Sequence, residues 1–202
     1  MLQKDPMNLI VTGVGGQGNV LASQLVGSAL VGKDYFVTIG ETYGASQRGG
    51  SVMSHIRISS KKQLSPLIPR GKADIVIGLE PVEALRVMTV YGNSQTVVIS
   101  NTRPIYPVDV TSGNEKYPEE EEIRDALKGL SQKVYYVPAT DKAIGMGSPI
   151  LGNMIMMGAL LELDLLPLSP AEFRKTLGRN FKEERLETNL RALEEGKRTV
   201  RP

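Results

Sequence analysis

Two glycine-bearing stretches near the start of the chain combine residue types that can hold an anion. The first, Gly13-Val14-Gly15-Gly16-Gln17-Gly18, fits G-x-G-x-x-G between an apolar run and a helical pattern. At that spacing the first glycine permits a tight turn, the second a close backbone approach to phosphate, and the third close helix–strand packing. Backbone N–H groups and the helix dipole then favour negative charge beside Gly13, Gly15, Gly16, Gly18 and Asn19. The competing reading of the same glycines is tight strand-to-helix packing with no ligand. The second stretch is Ser46-Gln47-Arg48-Gly49-Gly50. Its paired glycines give a backbone that a ligand or another chain can approach closely. Arg48 adds a forked donor suited to phosphate or carboxylate, unless it merely meets a surface glutamate. Glu41 stands where a dinucleotide-binding protein places a ribose-binding carboxylate. Glu80 and Asn101 close two later apolar runs, where each could orient a ligand or cap backbone N–H groups. His55 is a candidate base on an alternating strand, where a lone histidine is more often structural.

The elements that must position these residues follow from the hydrophobic period. Asn8 to Gly13, Asp74 to Leu79 and Thr96 to Ser100 are short apolar runs, the pattern of strands covered on both faces. Further strands are predicted at 35–39 and 133–137 and, from strict alternation, at 51–58. Helical spacing predicts a helix over 17–31, one opening at Pro81, and one over 119–130 whose acidic first turn meets its own positive end. Residues 40–50 show no apolar period and read as a loop. The last third is predicted helical over 148–163, 169–177 and 182–196, with Met146, Met154, Met156 and Met157 as a core stripe. Strands alternating with helices imply right-handed crossovers. The expected fold is one doubly wound, mainly parallel α/β sheet, Rossmann-like, over a single domain of residues 1–202. Both loops then fall at the carboxyl ends of neighbouring strands, the usual binding edge of such a sheet.

Composition removes many chemistries. With no cysteine and one histidine in 202 residues, the chain offers no disulfide, no thiolate nucleophile, no cysteine-ligated iron–sulfur cluster and no multi-histidine metal centre. The expectation is that it binds no metal. Twenty-four basic and 22 acidic residues leave a net charge of +2 with no clustered patch, so no nucleic-acid partner is expected. No run approaches the ~20 apolar residues of a membrane span, and Met1 to Met7 are too short and polar for an export signal. These features predict a cytoplasmic protein without a membrane partner.

Residues 11–18 and the run from Glu41 through Ser46-Gln47-Arg48-Gly49-Gly50 to Arg57 closely resemble the small, gamma-type subunit of 2-oxoacid:ferredoxin oxidoreductases. Ser65-Pro66-Leu67-Ile68-Pro69 and Glu80-Pro81-Val82-Glu83-Ala84-Leu85-Arg86 are most like the beta subunit of the indolepyruvate enzyme. The likeness continues through Gly152-Asn153-Met154 and Asn189 to Leu193, and so covers most of the chain. It implies an accessory subunit of a complex that oxidatively decarboxylates a 2-oxoacid to acyl-CoA, with ferredoxin as electron acceptor. Thiamine diphosphate, magnesium and iron–sulfur clusters would sit in a larger partner subunit, with coenzyme A as a substrate of the complex. The isolated chain would be inactive, and a homodimer of it is a secondary expectation. The loops, Ser46, Gln47, Arg48, Gly49 and Gly50 included, would face a shared active site. Two rivals stay open: a free-standing NAD(P)- or FAD-binding oxidoreductase, and an assembly scaffold whose loops meet no ligand.

Overall fold

A computed structural model describes residues 2–44 and 50–200. The chain runs β1 (Met7–Val14), α1 (Asn19–Val31), β2 (Phe36–Tyr43), β3 (Ser51–Ser59), β4 (Ile75–Gly78), α2 (Pro81–Tyr91), β5 (Val97–Asn101), α3 (Val108–Thr111), α4 (Glu120–Leu130) and β6 (Lys133–Val137). It ends in α5 (Ala139–Gly145), a 3-10 turn (Pro149–Leu151), α6 (Gly152–Glu162), α7 (Pro170–Asn180) and α8 (Glu183–Val200).

The strands form one sheet in the order β2-β3-β1-β4-β5-β6. β1, β4, β5 and β6 pair in parallel, whereas β3 is antiparallel to both β1 and β2. Alternate residues of the apolar runs supply two cores. Leu9, Val11, Ile75, Ile77 and Ile99 face α1 and α6, while Ile10, Val76 and Val98 face α2 and α4. A strand feeding both layers must be apolar throughout, so these segments show no alternation.

Sequence and structure part company along β2. The strand runs to Tyr43, through residues with no apolar period, because Gly40, Glu41, Thr42 and Tyr43 pair with His55, Ser54, Met53 and Val52 of β3. Backbone pairing on an edge strand needs no apolar face. The same hairpin inserts β3 between β2 and β1, so β2, whose carboxyl end leads toward the second loop, is not a neighbour of β1, whereas β3, which follows that loop, is. At the other end, the helix expected over 148–163 divides into a 3-10 turn and α6, and α5 precedes it. The methionine stripe is core as expected, with Met154, Met156 and Met157 fully buried.

α6 is buried at every residue from Gly152 to Leu161. It lies between the sheet and α8, and its backbone meets that of α8 directly. A Cβ on Gly158 would stand 2.0 Å from the Leu193 carbonyl oxygen, and one on Gly196 would stand 1.8 Å from that of Ile155.

Candidate functional site at the carboxyl rim of the sheet

α1 leaves β1 on the face shared with α6 and α7, and α2 leaves β4 on the face shared with α4. The direction of winding therefore reverses between β1 and β4. The crevice outside the carboxyl ends of those strands is where open α/β sheets bind ligands.

One wall of the crevice is the glycine loop. Gly16 (φ +104°) and Gly18 (φ +82°) occupy left-handed backbone that other residues rarely adopt, and this delays the start of α1 to Asn19. Gln17 folds back across the crevice. Its Oε1 accepts from the Val14 N–H at 2.8 Å, and its Nε2 donates to the Leu79 carbonyl at 2.7 Å, tying the ends of β1 and β4 together. Asn19 Nδ2 donates to the Val14 carbonyl at 3.1 Å. The side chains leave no room at Gly13, whose Cβ would lie 2.4 Å from Gln17 Oε1. The N–H groups of Gly16, Gly18, Asn19 and Val20 have no acceptor among the described residues. They form a free donor set at a helix N-terminus.

Gly15 N–H donates to the Gly50 carbonyl at 2.9 Å. The end of the second loop thus touches the glycine loop, because Ser51 opens β3 opposite Val14 at the end of β1. Ser46, Gln47, Arg48 and Gly49 lie outside the described residues. Next to Gly50, the Ser51 hydroxyl donates to Glu83 at 2.6 Å, and Arg86 stands 3.6 Å from the same carboxylate. Val14, Gly50, Ser51, Glu83 and Arg86 line a cavity of about 350 Å³, closed on its far side by the segment 105–118.

Glu80 holds that segment in place. It is the N-cap of α2 and accepts from the Glu83 N–H at 2.9 Å. It also accepts from the Ile105 N–H at 3.4 Å and from the Tyr117 hydroxyl through a short bond. Tyr117 in turn packs edge-on against Tyr106, ring centres 5.1 Å apart. Burial pushes the Glu80 carboxyl above its usual range of 4.5, opposed by the three donors. The folded state therefore binds the Glu80 proton more tightly than the unfolded chain does. The ionised form costs stability above the raised pKa, and that cost disappears as pH falls through it. Relative to Glu80→Gln, the wild-type chain is expected to gain stability between neutral pH and 4.5 and to level off below. Urea unfolding at a series of pH values checks the sign.

Asn101 is likewise occupied. Its Nδ2 donates to the Leu79 carbonyl at 3.0 Å and to Thr140 Oγ1 at 2.8 Å, and its Oδ1 accepts from the Ala139 and Thr140 N–H groups that open α5. Glu41 accepts from the Tyr43 hydroxyl on the edge strand. It lies two strands from β1, roughly 10 Å across the ladder, so it does not stand beside the glycine loop as a ribose-binding carboxylate must. His55 sits in mid-strand between Ile10 and Gly40, fully buried rather than at the rim. Its Nδ1 accepts from the Ile68 N–H at 3.4 Å, its ring packs edge-on to Tyr91, and burial lowers its pKa.

The structure thus brings the glycine loop, Asn19, Gly50, Glu80 and Asn101 to one rim and leaves Glu41 and His55 elsewhere. Gln17, Ser51, Glu83 and Tyr117 join the rim without having been singled out in sequence. Gln17 stood inside the motif, but a glutamine at an unassigned position carries no chemical signal. Tyr117 meets Glu80 from 37 residues away, a contact no local pattern encodes. No cluster of three or more metal-binding side chains occurs among the described residues, and no helix among them is long and apolar enough to cross a membrane.

A family model described as pyruvate ferredoxin/flavodoxin oxidoreductase matches residues 8–199. The chain is 38% identical over 190 residues to indolepyruvate oxidoreductase subunit IorB of Archaeoglobus fulgidus, covering 94% of this chain and 93% of that one. Its fold is shared with pyruvate oxidoreductase subunit PORC of Thermotoga maritima (TM-score 0.73, 21% identity, 98% of each chain). The 2-oxoglutarate:ferredoxin oxidoreductase of Magnetococcus marinus, whose structure holds 2-oxoglutarate, coenzyme A and succinyl-CoA, also matches (TM-score 0.73, 22% identity). There the match covers 98% of this chain but only 31% of the longer one.

Proposed function

The chain belongs to the pyruvate ferredoxin/flavodoxin oxidoreductase family, and from that premise we propose that it is the accessory, IorB-like subunit of an indolepyruvate-type 2-oxoacid:ferredoxin oxidoreductase. What carries the reading is that the similarity to IorB extends over 94% of the chain. The physical chemistry is consistent with it. A chain without cysteine, whose single histidine is fully buried, has no ligand set for an iron–sulfur cluster. Electrons from the 2-oxoacid must therefore pass through centres held by another subunit. Thiamine diphosphate, where it acts in such a complex, supplies the carbanion chemistry of decarboxylation.

The contribution of this chain, folded as one domain, is the rim. Free N–H groups at Gly16, Gly18, Asn19 and Val20 offer fixed positive potential to a phosphoryl or carboxylate group in the shared active site. Gly50 ends the rim beside the glycine loop, and the residues before it in sequence, Ser46, Gln47, Arg48 and Gly49, are proposed to contribute to the active site shared with the partner. The larger thiamine- and iron–sulfur-bearing subunit, ferredoxin as acceptor, coenzyme A as co-substrate and a cytoplasmic location belong to the same proposal. The separation of Glu41 from the glycine loop speaks against the NAD(P)- or FAD-binding rival.

Calorimetric titration of the chain and of its complex tests the reading. Tight association with the thiamine-bearing subunit and no micromolar NAD(P)H or FAD binding are expected. Micromolar dinucleotide binding by the isolated chain would favour the rival instead.

A further inference from the structure

The glycine loop is not the whole of the donor set at the start of α1. Asn153, in the first turn of α6, is 4% exposed, and its Nδ2 has no hydrogen-bond partner among the described residues. That atom lies against the loop: a Cβ on Gly18 would stand 2.1 Å from it. A buried amide donor left without an acceptor costs about 1–3 kcal/mol, and native structures rarely tolerate one without a purpose. Here the orphan faces the same helix end whose backbone N–H groups also lack acceptors.

The other unpartnered amide atom nearby, Asn19 Oδ1, borders Gly13 instead. The close neighbours of Gly13 and of Gly18 have no atom in common. Beside Asn153 a groove of about 590 Å³ opens between α1 and α8, with Leu21, Ile150 and Phe181 along it and Glu184 and Arg185 at its side. This gives an anionic ligand an apolar bed for the rest of its body, with one charge of each sign at its side.

We infer that Asn153 is a ligand-binding residue, whose side-chain amide donates to an oxyanion seated on the N-terminus of α1, with the body of the ligand in the α1–α8 groove. This rests on the anion reading of the glycine loop given above and extends it to a residue on a different helix. The ligand class is an organic phosphate or carboxylate. Phosphate and carboxylate oxygens present the same acceptors to an amide, so two probes separate the sources.

Titration of the full chain with inorganic pyrophosphate, and separately with pyruvate, followed by ¹⁵N–¹H correlation spectra, tests the inference. The backbone amides of Gly18 and Asn19 and the Asn153 side-chain NH₂ pair are expected to shift together and saturate with one of the probes, identifying the source. Asn153→Ala is expected to weaken that binding about tenfold. Asn153→Asp, of the same size but repelling an anion, is expected to abolish it. Asn153→Ala should keep or raise the wild-type thermal midpoint, because the amide donor has no hydrogen bond to lose and its unpartnered burial is itself a cost. Loop shifts without an Asn153 shift, and with Asn153→Ala binding unchanged, would overturn the role of Asn153 while leaving the loop reading intact. No loop shift in the wild-type chain with either probe would overturn both.

Discussion

Gly196→Ala and Gly158→Ala are each expected to destabilise the chain by roughly 3 kcal/mol or more, beyond the usual range for an added methyl group. The reason lies in what the new atom meets. Most overpacked sites can relax by turning a flexible side chain. At both glycines the obstacle is a backbone carbonyl of the facing helix, 1.8 to 2.0 Å from the added Cβ. A carbonyl committed to its own helix moves only if the helix moves. Separating α6 from α8 would open gaps along a helix buried from Gly152 to Leu161, forfeiting dispersion contacts along its length. Urea unfolding followed by circular dichroism measures the cost. Gly129, exposed on α4 with nothing within 4 Å of its Cβ position, provides the control. There alanine should stabilise by about 0.5–1 kcal/mol, as helix propensity dictates. Equal effects at Gly196 and Gly129 would refute the close-packing account.

Gly18→Ala is expected to lower the turnover of the assembled complex about a hundredfold, the order of loss that accompanies an ångström-scale misplacement of a binding group, while the chain still folds. Two effects combine at this position. A left-handed backbone costs a non-glycine residue about 1–2 kcal/mol, and the new Cβ would occupy the space of Asn153 Nδ2, 2.1 Å away. Gly16 separates the two. Its φ of +104° is also left-handed, yet nothing lies within 4 Å of its Cβ position. Gly16→Ala should therefore show backbone strain in its unfolding midpoint but a much smaller loss of turnover. Steady-state rates of the two variant complexes, compared with their thermal midpoints, distinguish a rim that binds from a turn that only packs. Equal losses of turnover would favour the packing explanation.

How much of this was legible beforehand depends on the kind of signal each feature carries. The interior strands could be read because a segment feeding two cores has to be apolar throughout, as residues 8–13 and 74–79 are. The far half of β2 could not, since Gly40 to Tyr43 are held by backbone pairing to β3, and backbone groups are the same in every sequence. That hairpin also removed β2 from the side of β1, where chain order had placed it: nothing local reveals that β3 returns antiparallel between them and itself brings the second loop to β1. The glycine loop announced itself by spacing. Its supports did not, because Gln17 acts through Leu79, Tyr117 through Glu80 and Asn153 through Gly18, contacts that exist only once separate elements have packed. α5 was hidden for the same reason, its first N–H groups being capped by Asn101 of β5 rather than by a neighbour in sequence.

On the function proposed above, the chain lends a donor-rich rim to chemistry carried out on centres it does not hold. That is tested by measuring 2-oxoacid oxidation with coenzyme A and a low-potential dye, using the purified chain alone, the proposed thiamine-bearing partner alone, and the two reconstituted. No turnover is expected from this chain by itself, and full turnover only when both are present. Oxidation of the 2-oxoacid by this chain unaided, or an undiminished rate from the thiamine-bearing subunit without it, would contradict the claim.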